Sequence, residues 1–254
     1  MNDTTWSARP ACSTRVPRWA VSTACWSLVV CATLAATASA GDAFDYFRNS
    51  WNVIGLKDYE RGTRITPDNR LLIDGGEVRI RIGNELAALS RLQTKTLFAG
   101  WMPIVLLTAE EGAVRYEFTF WAAPLPGVQQ WQHAYAWPTE GENYMNWIRV
   151  QATNAGPVAA AGKVVLVETR GTDAARHTHD FSFAPGGSAQ AVFRIPFTAT
   201  AAFPPDPAQA AEDAQAAGAE ADLWLQRTIQ FWQSVRDRAA RIDVPCRKAT
   251  ETLL

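Results

Sequence analysis

The sequence predicts a mainly β protein: a large antiparallel β-sandwich followed by a C-terminal helical linker. Three observations lead there. From about residue 51 to 200 the apolar residues recur with period two, the signature of half-buried strands. No helical pattern of roughly 10–15 residues separates these runs, so a parallel sheet with crossover helices is disfavoured. At Pro204-Pro205-Asp206-Pro207 the composition then turns Ala-rich.

In chain order, "EVRIRIG" alternates strictly, with Val78, Ile80 and Ile82 on one face and Arg79 and Arg81 on the other. "MPIVLLT", "EEG" and "AVRYEFTFW" read as a hairpin. Its second strand sets Val114, Tyr116, Phe118 and Phe120 against Arg115, Glu117, Thr119 and Trp121. "NWIRVQATNAG" is a strand entering a turn, and "KVVLVETR" is expected to pair with it. "HDFSF" and "AQAVFRIPF" are expected to form a further hairpin, with Gly186-Gly187 as its turn. Beyond the prolines, Asp206 suits an N-cap, Pro207 the first helical position and Gln209 the capping box. Leu225, Ile229, Trp232, Val235, Ala239 and Ile242 then make one apolar stripe on a long helix, or on a helix pair bent near Gly218. Acidic residues early and arginines late suit the helix dipole.

The first forty residues stand apart. Arg9, Arg15 and Arg18 precede an apolar run ending Ala38-Ser39-Ala40, the pattern of a secretory signal peptide cleaved after Ala40. The alternative is an N-terminal membrane anchor. The expected location is secreted or periplasmic, with no membrane attachment after cleavage. Cys12, Cys25 and Cys31 fall in that segment, so Cys246 alone remains and an internal disulfide is not expected. Residues 41–254 hold 21 basic and 24 acidic side chains, a net charge of −3, with no basic stripe. Nucleic acid is therefore not an expected partner.

Much catalytic vocabulary is missing: no GxGxxG, P-loop, HExxH, G-x-S-x-G or CxxC pair occurs. No cofactor is expected. "HTHD", with His177, His179 and Asp180, offers metal-ligand side chains, but a solvated turn is the weightier reading and no metal is expected. "VQQWQHAYAWPTEGENYMNW" (128–147) gathers tryptophans, tyrosines and a histidine around two glutamates. Flat rings beside carboxylates suit a sugar, whose apolar face stacks while its hydroxyls donate. Trp131, His133, Trp137, Glu140 and Glu142 are the carbohydrate-contact candidates. Glycoside hydrolysis needs carboxyl groups about 5–10 Å apart across one bond, a demand that Glu140 and Glu142 meet no better than many surface pairs. The weightier reading is a long loop whose aromatics plug the end of the sandwich or dock on a neighbour. Trp224, Phe231 and Trp232 are expected to be buried rather than to form a ligand box.

Several stretches together resemble one family. "WNVIGLKDYERGTRITPDNRLLI", "LFAGWMPIVLLTAEEGAVRYEFTFWAAPL" and "NWIRVQATNAGP" look like the N-terminal supersandwich of bacterial six-hairpin glycosidases, the glycoside hydrolases with an (α/α)6 barrel. "ADLWLQRTIQFWQSVRDRAARIDVP" is similar to the linker helix of that family, and "CRKATETLL" to the first barrel helix. The resemblance covers about residues 44–254. After the signal peptide over 1–40, it implies a sandwich over 41–203, a helical linker over 204–243, and the start of a truncated barrel domain over 244–254. The catalytic barrel is then the expected partner, downstream of Leu254. The family's acid and base lie on barrel loops, so no catalytic residue carries over to this chain. Truncation predicts that the Leu225–Ile229–Trp232 stripe is only partly covered. The function implied is a non-catalytic portion of a secreted glycoside hydrolase, bracing the barrel and contacting carbohydrate. The alternatives are a stand-alone periplasmic or surface carbohydrate-binding protein, and a structural sandwich without ligand.

Overall fold

Period-two burial runs through the chain in the computed structural model. It describes residues 50–89, 92–125, 128, 130–136, 142–199 and 210–239. These residues form two antiparallel sheets and two helices. Sheet A has the order β1 (Asn52–Ile54), β2 (Thr63–Ile65), β3 (Leu71–Ile73), β4 (Gly76–Ile82), β10 (Ala160–Arg170), β11 (Asp173–Phe183), with β5 (Ala87–Ala88) also on β4. Sheet B has the order β12 (Ser188–Pro196), β9 (Met145–Asn154), β8 (Val114–Ala123), β7 (Met102–Glu111), β6 (Leu92–Phe98). Helix α1 spans Trp131–Ala136, and α2 spans Ala210–Arg238. The described residues lie within the unit Phe44–Leu254. The mainly β architecture with a C-terminal helix is as the sequence predicts.

The core fills the space between the sheets. Val78, Ile80 and Ile82 of sheet A face it, as do Val114, Tyr116, Phe118 and Phe120 of sheet B, all buried. Tyr116 reaches across, where its hydroxyl accepts from the Lys163 amide at 3.2 Å. Gly162 leaves room for it: a Cβ there would lie 2.7 Å from that hydroxyl oxygen.

Two expected pairings are overturned. "KVVLVETR" is β10, and it pairs with β4 and β11, not with β9. "HDFSF" is the end of β11, and it does not pair with "AQAVFRIPF", which is β12 on β9. In both places a turn-rich link carries the chain from one sheet to the other. Asn154 organises both corners. Its Nδ2 donates to Val158 O at 2.7 Å and Ala184 O at 3.2 Å, its Oδ1 accepts from Gly156 N at 2.9 Å, and its backbone N–H donates to Gly187 O at 2.9 Å. The hairpin the sequence reading lacked is β10–β11, turned at Gly171-Thr172 with Gly171 at φ 54°, a left-handed conformation that costs glycine little.

Helix α2 runs unbroken through Gly218. Asp206, Pro207 and Gln209 lie outside the described residues, as do residues 1–49 and 240–254 with the signal and barrel-helix readings. Among the described residues no helix is long and apolar enough to cross a membrane.

Lys95 joins the sheets at the β6 edge. It pairs with Leu107, so it points inward, and it is 2 % exposed. Its Nζ donates to Ser50 O at 3.1 Å and Thr66 O at 3.0 Å. An inward charge on an edge strand also opposes edge-to-edge association. Burial lowers its pKa to about 8 from the usual 10.5, against the pull of Asp68. The unfolded chain keeps that proton to higher pH, so folding stability rises as pH climbs from 8 towards 10.5. Lys95→Met removes this term. Denaturant unfolding of both chains should show the natural chain gaining roughly 2 kcal/mol on the variant between pH 8 and 10. A constant difference across that range would refute the assignment.

Candidate functional site

The Trp-rich stretch and α2 meet on the outer face of sheet B, where the local sequence makes both faces of the distal half of β8 apolar. Val114, Tyr116, Phe118 and Phe120 fill the core, while Trp121 and Ala123 point outward and are buried as well. Trp121 pairs with Trp147 of β9, and the two indoles stack at 5.9 Å with planes 6° apart. Arg149 on β9 lies over Trp121 at 6.0 Å and binds Asp222 of α2 at 2.8 Å. Arg194 on β12 lies over Trp147 at 5.9 Å and binds Glu220 at 3.1 Å. Two arginines therefore each join an indole of the sheet to a carboxylate of the helix.

The buried row of α2 is Ala221, Trp224, Thr228 and Phe231, with Leu225 beside it. Ile229, Trp232 and Val235 are half-buried. The expected stripe is displaced by one residue, because Thr228, polar by type, is satisfied where it sits. Its hydroxyl contacts Trp224 O at 2.8 Å, Ala122 O at 3.4 Å and the Tyr135 hydroxyl of α1. Tyr135 stacks on Phe231 at 4.9 Å. Burial pushes the Tyr135 phenol well above its ordinary value. It is a structural hydrogen-bonding group, not a proton donor poised for neutral pH. Fully burying an aromatic or leucine side chain contributes about 1.5–3 kcal/mol, so Trp224, Leu225 and Phe231 dominate the docking.

Of the sequence-predicted contacts, the described ones, Trp131, His133 and Glu142, are not brought together. Trp131 is half-buried, edge-on to Tyr135 at 5.9 Å, with Arg227 over its ring at 5.2 Å. Arg227 also covers Trp224 at 4.8 Å. His133 is exposed. Glu142 is half-buried at φ 48°, and its Oε2 accepts from Glu60 N at 3.1 Å. Trp137 and Glu140 lie outside the described residues. Among the described residues Trp131, His133 and Glu142 share no hydrogen bond, ion pair or ring contact. Tyr144 and Trp147 of the same stretch are fully buried. The plug reading describes these side chains better than a sugar cradle. Sequence reasoning missed Arg149, Arg194, Arg227 and Thr228. The available signal was an arginine two residues from a tryptophan on one strand face, as in "WIR".

"HTHD" is strand, not turn. His177 and His179 share the inner face of β11, half-buried. His177 Nε2 lies 3.5 Å from Glu168 Oε2, and His179 packs edge-on to Phe181 at 4.6 Å. Burial lowers the His179 pKa, against Asp180. Burial pushes the Glu168 carboxyl up, but His177 and Arg170 together leave it below the usual range. Arg170 binds Glu168 at 2.6 Å and also donates to Asp74 O, Phe197 O and Pro196 O. This is a clasp between strand ends. Among the described residues no three His, Cys, Asp or Glu side chains are grouped to hold a metal.

Comparison with protein-family models, with curated proteins and with solved structures finds no match to this chain.

The α2 anchor is testable. Thr228→Val strands the buried Tyr135 hydroxyl and should cost about 1–3 kcal/mol in denaturant unfolding. Tyr135→Phe in the Thr228→Val background should recover part of that loss. Strict additivity of the two changes would disprove the hydroxyl pair.

Proposed function

We propose that this chain is the non-catalytic β-sandwich portion of a secreted glycoside hydrolase, the part that braces a helical catalytic barrel. The observation that carries the reading is the two-sided character of α2. One flank is sunk into sheet B through Trp224, Thr228 and Phe231, while Ile229, Trp232 and Val235 are half-covered and Leu223 is 45 % exposed. A helix anchored on one side and apolar on its flank suits a base for a further helical layer. The resemblance of 44–254 to a supersandwich with its linker supplies the identity of that layer.

The carboxylates support a bracing role. Asp74 is held by Arg61, Glu77 by Arg70 and Arg79, Glu168 by Arg170, Glu220 by Arg194 and Asp222 by Arg149. Each serves an ion pair between elements or along a sheet face.

Two measurements test the reading. The purified chain should release no sugar from a panel of neutral and acidic glycans, and turnover abolished by Glu142→Gln would overturn it. The reading frame beyond the codon for Leu254 should encode a helix-rich segment. Expressed separately, that segment should co-purify with this chain, and Trp232→Asp should weaken the association at least about tenfold, the loss expected on placing a charge in an apolar contact. An unrelated frame, or association indifferent to Trp232→Asp, would refute the bracing role.

A further inference from the structure

The outer faces of the two sheets differ. That of sheet B lies under α2 at the Trp121–Trp147 stack. That of sheet A carries long polar side chains. Although the sequence has no basic stripe, strand alternation collects its cations here. Register rows place Arg79, Val167 and Arg176 side by side on β4, β10 and β11, and Arg81, Val165 and Thr178 beside them. The result is a furrow along β10. Its floor is Val165 and Val167, and arginines stand on both sides, roughly 10 Å apart across two strand spacings. Val165 is only 1 % exposed although it points outward, so the half-buried Val167 is the accessible part of the floor. Arg64 lies further along the same face, on β2 opposite Val53.

The charges do not cancel. Glu77 is taken by Arg70 and Arg79, and Asp180 by Lys163. Among the described residues Arg64, Arg81 and Arg176 have no carboxylate at ion-pair distance. The whole chain has a net charge of −1, so this face is an exception to its average.

We propose that the furrow binds an acidic polysaccharide, a chain of carboxylate-bearing sugar rings lying along β10. Guanidinium forks match carboxylates in geometry and charge, and an aliphatic floor suits the C–H faces of the rings. Single-stranded nucleic acid fits less well, because among the described residues the furrow offers no aromatic ring on which a base would stack. The choice of a sugar polymer rests on the proposed glycoside hydrolase reading; the demand for an anion does not.

The test is titration of the purified full chain with polygalacturonate and polymannuronate at low salt. Fully methyl-esterified polygalacturonate, a DNA oligonucleotide and phosphatidylglycerol vesicles are the comparisons. At least one polyuronate should bind, more weakly as salt rises, and the methyl ester should not. Arg79→Gln/Arg81→Gln/Arg176→Gln should lower affinity about tenfold or more, consistent with loss of several exposed charge contacts, with an unchanged thermal melt. Arg115→Gln/Arg238→Gln should bind as the natural chain does. Arg176→Glu alone, at the exposed sheet edge, serves if the triple variant misfolds, and it should weaken binding at least as much as Arg176→Gln. The proposal is overturned if neither polyuronate binds, if the furrow variants bind undiminished, or if DNA or vesicles are bound in preference. Polyuronate binding without co-purification of a helical segment would leave the furrow standing and remove only the bracing role. The reverse pattern would remove only the furrow.

Discussion

The distal half of β8 is apolar on both faces, and that single constraint organises the molecule. From Phe118 to Ala123 every residue is buried except the half-buried Thr119. A two-layer sandwich covers only one face of each sheet, so Trp121 and Trp147 would leave a large aromatic surface in water. The stretch 131–136 and the C-terminal helix lie on that surface, giving this end a third layer. The Trp-rich sequence is explained at the same time. Among its described rings Trp131, Tyr135 and Trp147 line the seam between helix and sheet while Tyr144 stacks on Phe197, and the buried members are unavailable to a ligand.

Sheet A follows the opposite rule. Strands β1, β2 and β4 alternate between core and solvent, as in an antiparallel sheet with one wet face. Nothing in that pattern calls for a helical cover, so its arginines stand in water beside one another. The same alternation that hides aromatics on one side of the protein concentrates charge on the other.

Strand existence and facing were legible because they depend on near neighbours. Arg79 and Arg81 opposite Val78, Ile80 and Ile82 can be read from one heptapeptide, and so can the β7–β8 hairpin. Pairing across the corners could not be read. Whether "KVVLVETR" returns to the strand before it or crosses to the other sheet depends on Asn154, whose side chain bonds Val158 and Ala184, a partner thirty residues away. The phase of α2 was missed by one residue for a related reason. Thr228 looks polar in isolation and becomes a core residue only when Tyr135 and the Ala122 carbonyl are beside it. The basic face escaped because charge windows along a chain do not add up residues from β2, β4 and β11. Of the five sugar-contact candidates, Trp131 and Glu142 owe their unusual character to packing: one supports Arg227, the other holds the amide of Glu60.

What fixes α2 in register is the use of arginine at 149 and 194. A guanidinium is planar, so it can lie over an indole with one face and direct N–H groups at a carboxylate from its edge. A lysine ammonium has no such plane. Arg149 and Arg194 sit on adjacent strands beside the stacked pair Trp121–Trp147, and their partners Asp222 and Glu220 are two residues apart on the helix. Sliding the helix by one turn would break both bridges together and carry Thr228 away from Tyr135. Each exposed ion pair is worth little by itself, about 0–1 kcal/mol. Their contribution is therefore positional: hydrophobic burial holds the helix to the sheet, and the two bridges select the turn of helix that sits there. That selection also determines which flank carries Ile229, Trp232 and Val235, and so where a further helical layer would have to stand.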